Sequence, residues 1–117
     1  MQTEVPSSSY KLRHPHSDHA FYFTVAGDPP IAIFINSKEM KAYQWITAAM
    51  TSYSAQLAAG IPVADVIKEM QSVYDPEHGK YHVPGGKGVE VNSLVHHLGL
   101  ILEQHLEGKS NDKNNDS

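Results

Sequence analysis

The chain has no cysteine. That removes a disulfide scaffold, a thiolate zinc site, a cysteine nucleophile and a redox pair together. It suits a reducing compartment, and a cytoplasmic location is expected. Basic charge is scarce. Nine Lys and Arg stand against thirteen Asp and Glu, for a formal net charge of −4. A protein that binds nucleic-acid backbones normally carries a basic patch, so no nucleic-acid partner is expected. Long apolar runs are missing too. The first nine residues are polar and lack the apolar core of a signal peptide. The stretch poorest in charge, residues 42–60, contains Gln44, Thr47, Thr51, Ser52, Ser54 and Gln56. Those groups are too polar for a membrane span, so no membrane partner is expected. There is no internal repeat.

A length of 117 residues fits one domain. Such a chain buries roughly two thirds of its unfolded surface, enough for one modest core. Residues 1–9 read as a flexible leader, 10–107 as the domain and 108–117 as a disordered tail. The tail is Asn, Asp, Lys and Ser with nothing apolar to bury.

Residues 20–26 are aromatic and β-branched, a strand composition. Gly27-Asp28-Pro29-Pro30 reads as a turn and residues 31–35 as a second strand, giving an antiparallel hairpin. Residues 10–12 offer a short edge strand before it. Asn36 followed by Glu39 predicts a capping box that starts helix one. Tyr43, Ile46, Met50, Tyr53 and Leu57 then recur at helical spacing, and Gly60 supplies a stop. The other faces of that helix carry Ala48, Ala49, Ala55, Ala58 and Ala59. An uncharged helix with small residues all round is expected to be central and packed on more than one side.

Helix two is predicted from Pro62 to the Asp75-Pro76 stop, with Val63, Val66, Ile67, Met70 and Val73 inward. A glycine-rich loop covers residues 77–90. Helix three runs from about Ser93 to Leu106, with Leu94, Leu98, Ile101 and Leu102 as its core face and Gly99 marking a close helix contact. The predicted fold class is α+β: an antiparallel hairpin or small sheet, then three packed helices.

Chemistry is sparse. His14, His16, Asp18 and His19 form an H-x-H-x-D-H string similar to the metal signature of the metallo-β-lactamase superfamily. Three imidazoles and a carboxylate would suit zinc. Yet that superfamily's sandwich is larger than this chain, and its motif follows a buried strand. A polar loop is the plainer reading, with no metal. His96 and His97 are neighbours on a helix and diverge by about 100°, so they cannot share one metal from one face. They, with His78, His82 and His105, read as packing or surface residues. Gly85-Gly86-Lys87-Gly88 lacks the spacing of a phosphate loop. No nucleophile and base stand together, so no catalytic residue is assigned.

Several blocks in order carry a family resemblance. They are Tyr10-Lys11-Leu12, Ser17-Asp18-His19-Ala20, Tyr22-Phe23-Thr24-Val25 and, most specific, Ile33-Phe34-Ile35-Asn36-Ser37-Lys38 with Met40. Tyr43-Gln44-Trp45, Gly60, Val66-Ile67-Lys68-Glu69-Met70 and Val73-Tyr74-Asp75-Pro76 follow. Gly79, Gly86-Lys87, Ser93-Leu94-Val95 and Ile101-Leu102-Glu103-Gln104-His105 complete the series. Together they resemble the TSCPD-type accessory domain that follows the catalytic barrel in adenosylcobalamin-dependent (class II) ribonucleotide reductases. The chain departs from that family in lacking the Thr-Ser-Cys-Pro-Asp signature and a cysteine-rich C-terminal segment.

The resemblance implies a non-catalytic accessory domain in deoxyribonucleotide synthesis, as a free-standing copy with no cofactor of its own. Ribonucleotide reduction requires a cysteine thiyl radical, which this chain cannot form. The implied partner is a class II reductase large chain, with a homo-oligomer as the variant. Tyr43, Trp45, Ala49 and Ala55 on helix one are the expected interface. The alternatives are a small metal-dependent enzyme using the histidine string, or a nucleotide-binding regulatory module.

Overall fold

The structure is a computed structural model that describes residues 6–15, 17, 19–38, 43–76, 79–84 and 87–115. The side chains of 43, 44 and 109–115 lie outside that description. The architecture is α+β. Strands β1 (Ser7–Leu12), β2 (Phe21–Ala26) and β3 (Ala32–Ser37) form an antiparallel sheet in chain order. Helices α1 (Tyr43–Ala58) and α2 (Val63–Gln71) follow. A two-residue ladder joins β4 (Tyr81–His82) to β5 (Glu90–Val91), and α3 (Leu94–Asn115) closes the described chain.

Alternation builds the sheet. Phe21, Phe23 and Val25 face inward, with Ile33 and Ile35 beside them on β3 and Leu12 on β1. These meet Ile46, Met50, Tyr53 and Leu57 of α1, Val66, Ile67 and Met70 of α2, and Leu94, Leu98 and Leu102 of α3 in one core. The residue that locks α1 to the sheet is polar. The Ser54 hydroxyl accepts from the Ile33 N–H and donates to the Ile33 carbonyl, both at 2.9 Å. Ile33 turns these backbone groups away from β2, and the hydroxyl of α1 answers both.

Several expectations need correction. Strand β1 begins at Ser7, inside the segment read as leader. Serines carry no alternation signal; they are recruited by pairing with β2, where Ser9 and Thr24 sit opposite and their hydroxyls meet at 2.8 Å. The predicted cap at Asn36 is not formed, because Asn36 lies within β3 opposite Tyr22. Glu39 lies outside the described residues, and α1 starts at Tyr43. Ladder pairing absorbed the residues that local cap chemistry had claimed.

Helix α1 is not enclosed within this chain. Trp45, Ala48, Ser52 and Ala55 form an exposed stripe, with Trp45 81% exposed. The helix ends as expected at Gly60, whose φ of +93° suits glycine. The Gly60 N–H bonds the Leu57 carbonyl and the Ile61 N–H bonds the Gln56 carbonyl. This paired closure satisfies two orphan carbonyls of the last turn.

Helix α2 ends at Gln71, short of the predicted stop. Both the N–H and the hydroxyl of Ser72 bond the Glu69 carbonyl there, at 3.1 and 2.6 Å. Val73 therefore leaves the helix, and its carbonyl accepts from the Ser93 hydroxyl at 2.8 Å. That hydroxyl also accepts from the His96 N–H, so one side chain caps α3 and ties it to the chain after α2. At Gly99 an added Cβ would come within 3.0 Å of Met70 and Gln71, which explains the glycine at this helix crossing. The segment read as a glycine-rich loop contains β4 and pairs it with β5 at its far end. The helix of α3 continues past Gly108 to Asn115, through residues read as a tail. Once a helix is nucleated, each further residue adds a bond without a new nucleus.

Candidate functional site

A cavity of about 640 Å³ lies between β1, α3 and the segment after β4. Tyr10, Leu12, Val83, Ile101, His97 and His105 give it walls, and Lys11, Arg13 and Gln104 add polar groups. Its Tyr10, His97 and His105 belong to a network of aromatic and imidazole rings. The Tyr10 hydroxyl makes a short hydrogen bond to His105 Nδ1, tying β1 to a residue 95 positions away on α3. The Tyr81 hydroxyl meets His97 Nδ1 at 2.9 Å in a buried bond. Tyr81 lies edge-on to both His14 (ring centres 4.7 Å apart) and His97 (5.8 Å apart). His96 Nδ1 accepts from the Asn92 N–H at 3.0 Å, at the start of α3.

Burial controls the ionisation of this cluster. His97 is 5% exposed. Desolvation, then the nearby imidazoles of His14 and His96, pushes its pKa down to about 4. Desolvation also lowers His96 and raises the Tyr81 hydroxyl far above its usual range. At neutral pH, Tyr81 and His97 are therefore both uncharged, and neutral groups suit a dry hydrogen bond. The tyrosine hydroxyls are bonded to the imidazoles, so the cluster fastens β1, β4 and α3 together.

Of the histidine string only His14 and His19 are among the described residues, and they stand in different surroundings. His14 is 9% exposed and packs on Tyr81. His19 is exposed and lines a different cavity with Lys11 and Tyr22. His16 and Asp18 lie outside the described residues. Among the described residues no group of three or more His, Cys, Asp or Glu is placed to hold a metal.

The expected interface residues on α1 separate. Trp45 and Ala55 are exposed, Ala49 is half-buried against the core, and Tyr43 opens the helix with its side chain outside the description. Beside this face a small cavity of about 200 Å³ is lined by Phe34, Thr47, Met50, Thr51 and Ser54. Phe34 of β3 is 54% exposed. Sequence reasoning missed Tyr10, Tyr81 and Ser54. Only the aromatic and hydroxyl types were visible, since their partners lie on other elements.

The protein-family model described as "TSCPD domain" matches residues 3–106. The chain belongs to the TSCPD family. TSCPD domains are associated with ribonucleotide reductases. No curated protein and no solved structure matches the chain. Among the described residues of this TSCPD domain, no helix is long and apolar enough to cross a membrane.

Proposed function

We propose that this TSCPD domain is a non-catalytic binding subunit of ribonucleotide reduction. It docks on the large chain of an adenosylcobalamin-dependent reductase through the exposed face of α1. The family match carries the link to the reductase. The face itself carries the docking. Trp45 stands exposed on a helix without a charged residue. Interface cores are enriched in aromatic residues and depleted of charged ones, and an aromatic side chain is a common anchor. The chain supplies no cysteine for radical chemistry, so turnover belongs to the partner.

Titration calorimetry of the purified protein against the purified large chain of its own organism tests this. Saturable binding, and reductase activity that changes when the subunit is added, is the expected result. No binding together with unchanged activity would overturn it. Self-association through the same face is the variant, and sedimentation of the isolated protein reads it directly.

A further inference from the structure

A second cavity, of about 420 Å³, lies at one end of the sheet and plays no part in the docking face. Strands β1 and β3 both run antiparallel to β2, so their C-terminal ends lie side by side. Arg13 follows β1 and Lys38 follows β3, and both line this cavity. Between them the register sets Lys11 opposite Tyr22, and Tyr22 opposite Asn36. An ammonium, a phenol and an amide thus form a row across the outward face. His19 lines the near wall. Its turn is held by the Ser17 hydroxyl, which accepts from the His19 N–H at 3.2 Å and donates to the His19 carbonyl at 3.0 Å. The Ser37 hydroxyl donates to the Ala20 carbonyl at 2.9 Å and fixes the end of β3 to the start of β2.

We infer that this cavity binds a polyphosphate group, either free or as the phosphate chain of a nucleotide. Lys11, Arg13 and Lys38 all line it, Lys11 and Arg13 on the side shared with the first cavity, and no carboxylate stands among the described residues that line it. The chain carries a net charge of −4, so gathering three of its nine cations here runs against its overall balance. Like charges held together repel one another, and a bound anion relieves them. The guanidinium offers a two-pronged grip on phosphate oxygens, and the ammonium groups act as point charges. One phosphate carries about 1.5 to 2 negative charges, so three cations match a diphosphate better than a single phosphate. The Asn36 amide and the Tyr22 hydroxyl add neutral donors.

Titration calorimetry at low salt tests this with the full chain. The probes are inorganic phosphate, pyrophosphate, tripolyphosphate and a nucleoside diphosphate. Pyrophosphate is expected to bind at one saturable site, more tightly than phosphate and more weakly as salt rises. A nucleoside diphosphate that binds more tightly than pyrophosphate identifies a nucleotide as the source, and equal affinity identifies the phosphate chain alone. Lys11→Gln, Arg13→Gln and Lys38→Gln should each weaken binding by about fivefold or more, as expected when one charge-assisted contact is lost. Lys68→Gln on α2 should not. All four side chains are exposed, so thermal melts should confirm intact folding in every variant. No saturable polyphosphate binding at low salt would overturn the inference. So would affinity that survives the triple variant, or binding confined to an acidic peptide or to nucleic acid.

Discussion

His97 shows how one buried side chain makes the molecule sensitive to acid. Its imidazole titrates near pH 4 in the folded protein, against 6.5 for an ordinary histidine. Between those values the unfolded chain binds the extra proton and the folded chain does not. The stability from keeping His97 neutral is therefore complete above about pH 6.5 and lost as pH falls towards 4. The loss is at most about 3 kcal/mol, from the size of the shift. Urea unfolding at a series of pH values checks it. His97→Asn should lower stability at pH 7, because the partner of Tyr81 is altered, yet show a shallower fall between pH 6.5 and 4 than the parent. Equal slopes would mean that carboxylates elsewhere carry the acid sensitivity.

At the scale of elements, the close crossing of α2 and α3 depends on Gly99. A Cβ there meets Met70 and Gln71 at 3.0 Å, while alanine gains roughly 1 kcal/mol in helix propensity over glycine. Gly99→Ala thus balances two opposed terms. Gly99→Leu does not: overpacking should cost about 1 to 3 kcal/mol, read as a lower urea midpoint with an unchanged slope. This glycine was legible in the sequence because a glycine inside a predicted helix costs helix propensity and so marks a close contact. Strands β2 and β3 were legible through the aromatic and β-branched composition of residues 20–26 and the turn at Gly27-Asp28-Pro29-Pro30, and the end of α1 through Gly60. The Ser7–Ser9 part of β1 was not, since its pairing depends on a partner strand. The β4–β5 ladder is too short to leave a pattern. The ring cluster was hidden for a related reason. Tyr10, His14, Tyr81, His97 and His105 come from distant positions, and only the packing of β1 and β4 on α3 brings them together.

For the whole molecule, the question is which surface meets a partner. Trp45 is 81% exposed, so Trp45→Ser should change stability by less than about 0.5 kcal/mol. If the α1 face docks on the reductase chain, the same substitution should weaken that complex at least tenfold, as loss of an aromatic anchor does. Calorimetry for the complex and a thermal melt for the isolated protein separate the two effects. Unchanged affinity would move the interface elsewhere. The basic cavity and the α1 face use different residues, so substitutions can test the proposed ligand binding and the proposed docking one at a time.

The Ser54 hydroxyl also governs what kind of recognition that flank permits. By answering both backbone groups of Ile33, it leaves no bare backbone at that residue for a visiting strand to read. Strand addition reads main chain and tolerates almost any sequence in the visitor. A partner arriving here meets side chains instead. Its fit is then written in residue identities on both surfaces, and a drift in one must be answered by a drift in the other. The pair should consequently diverge together between organisms, with subunits from distant sources failing to substitute for one another.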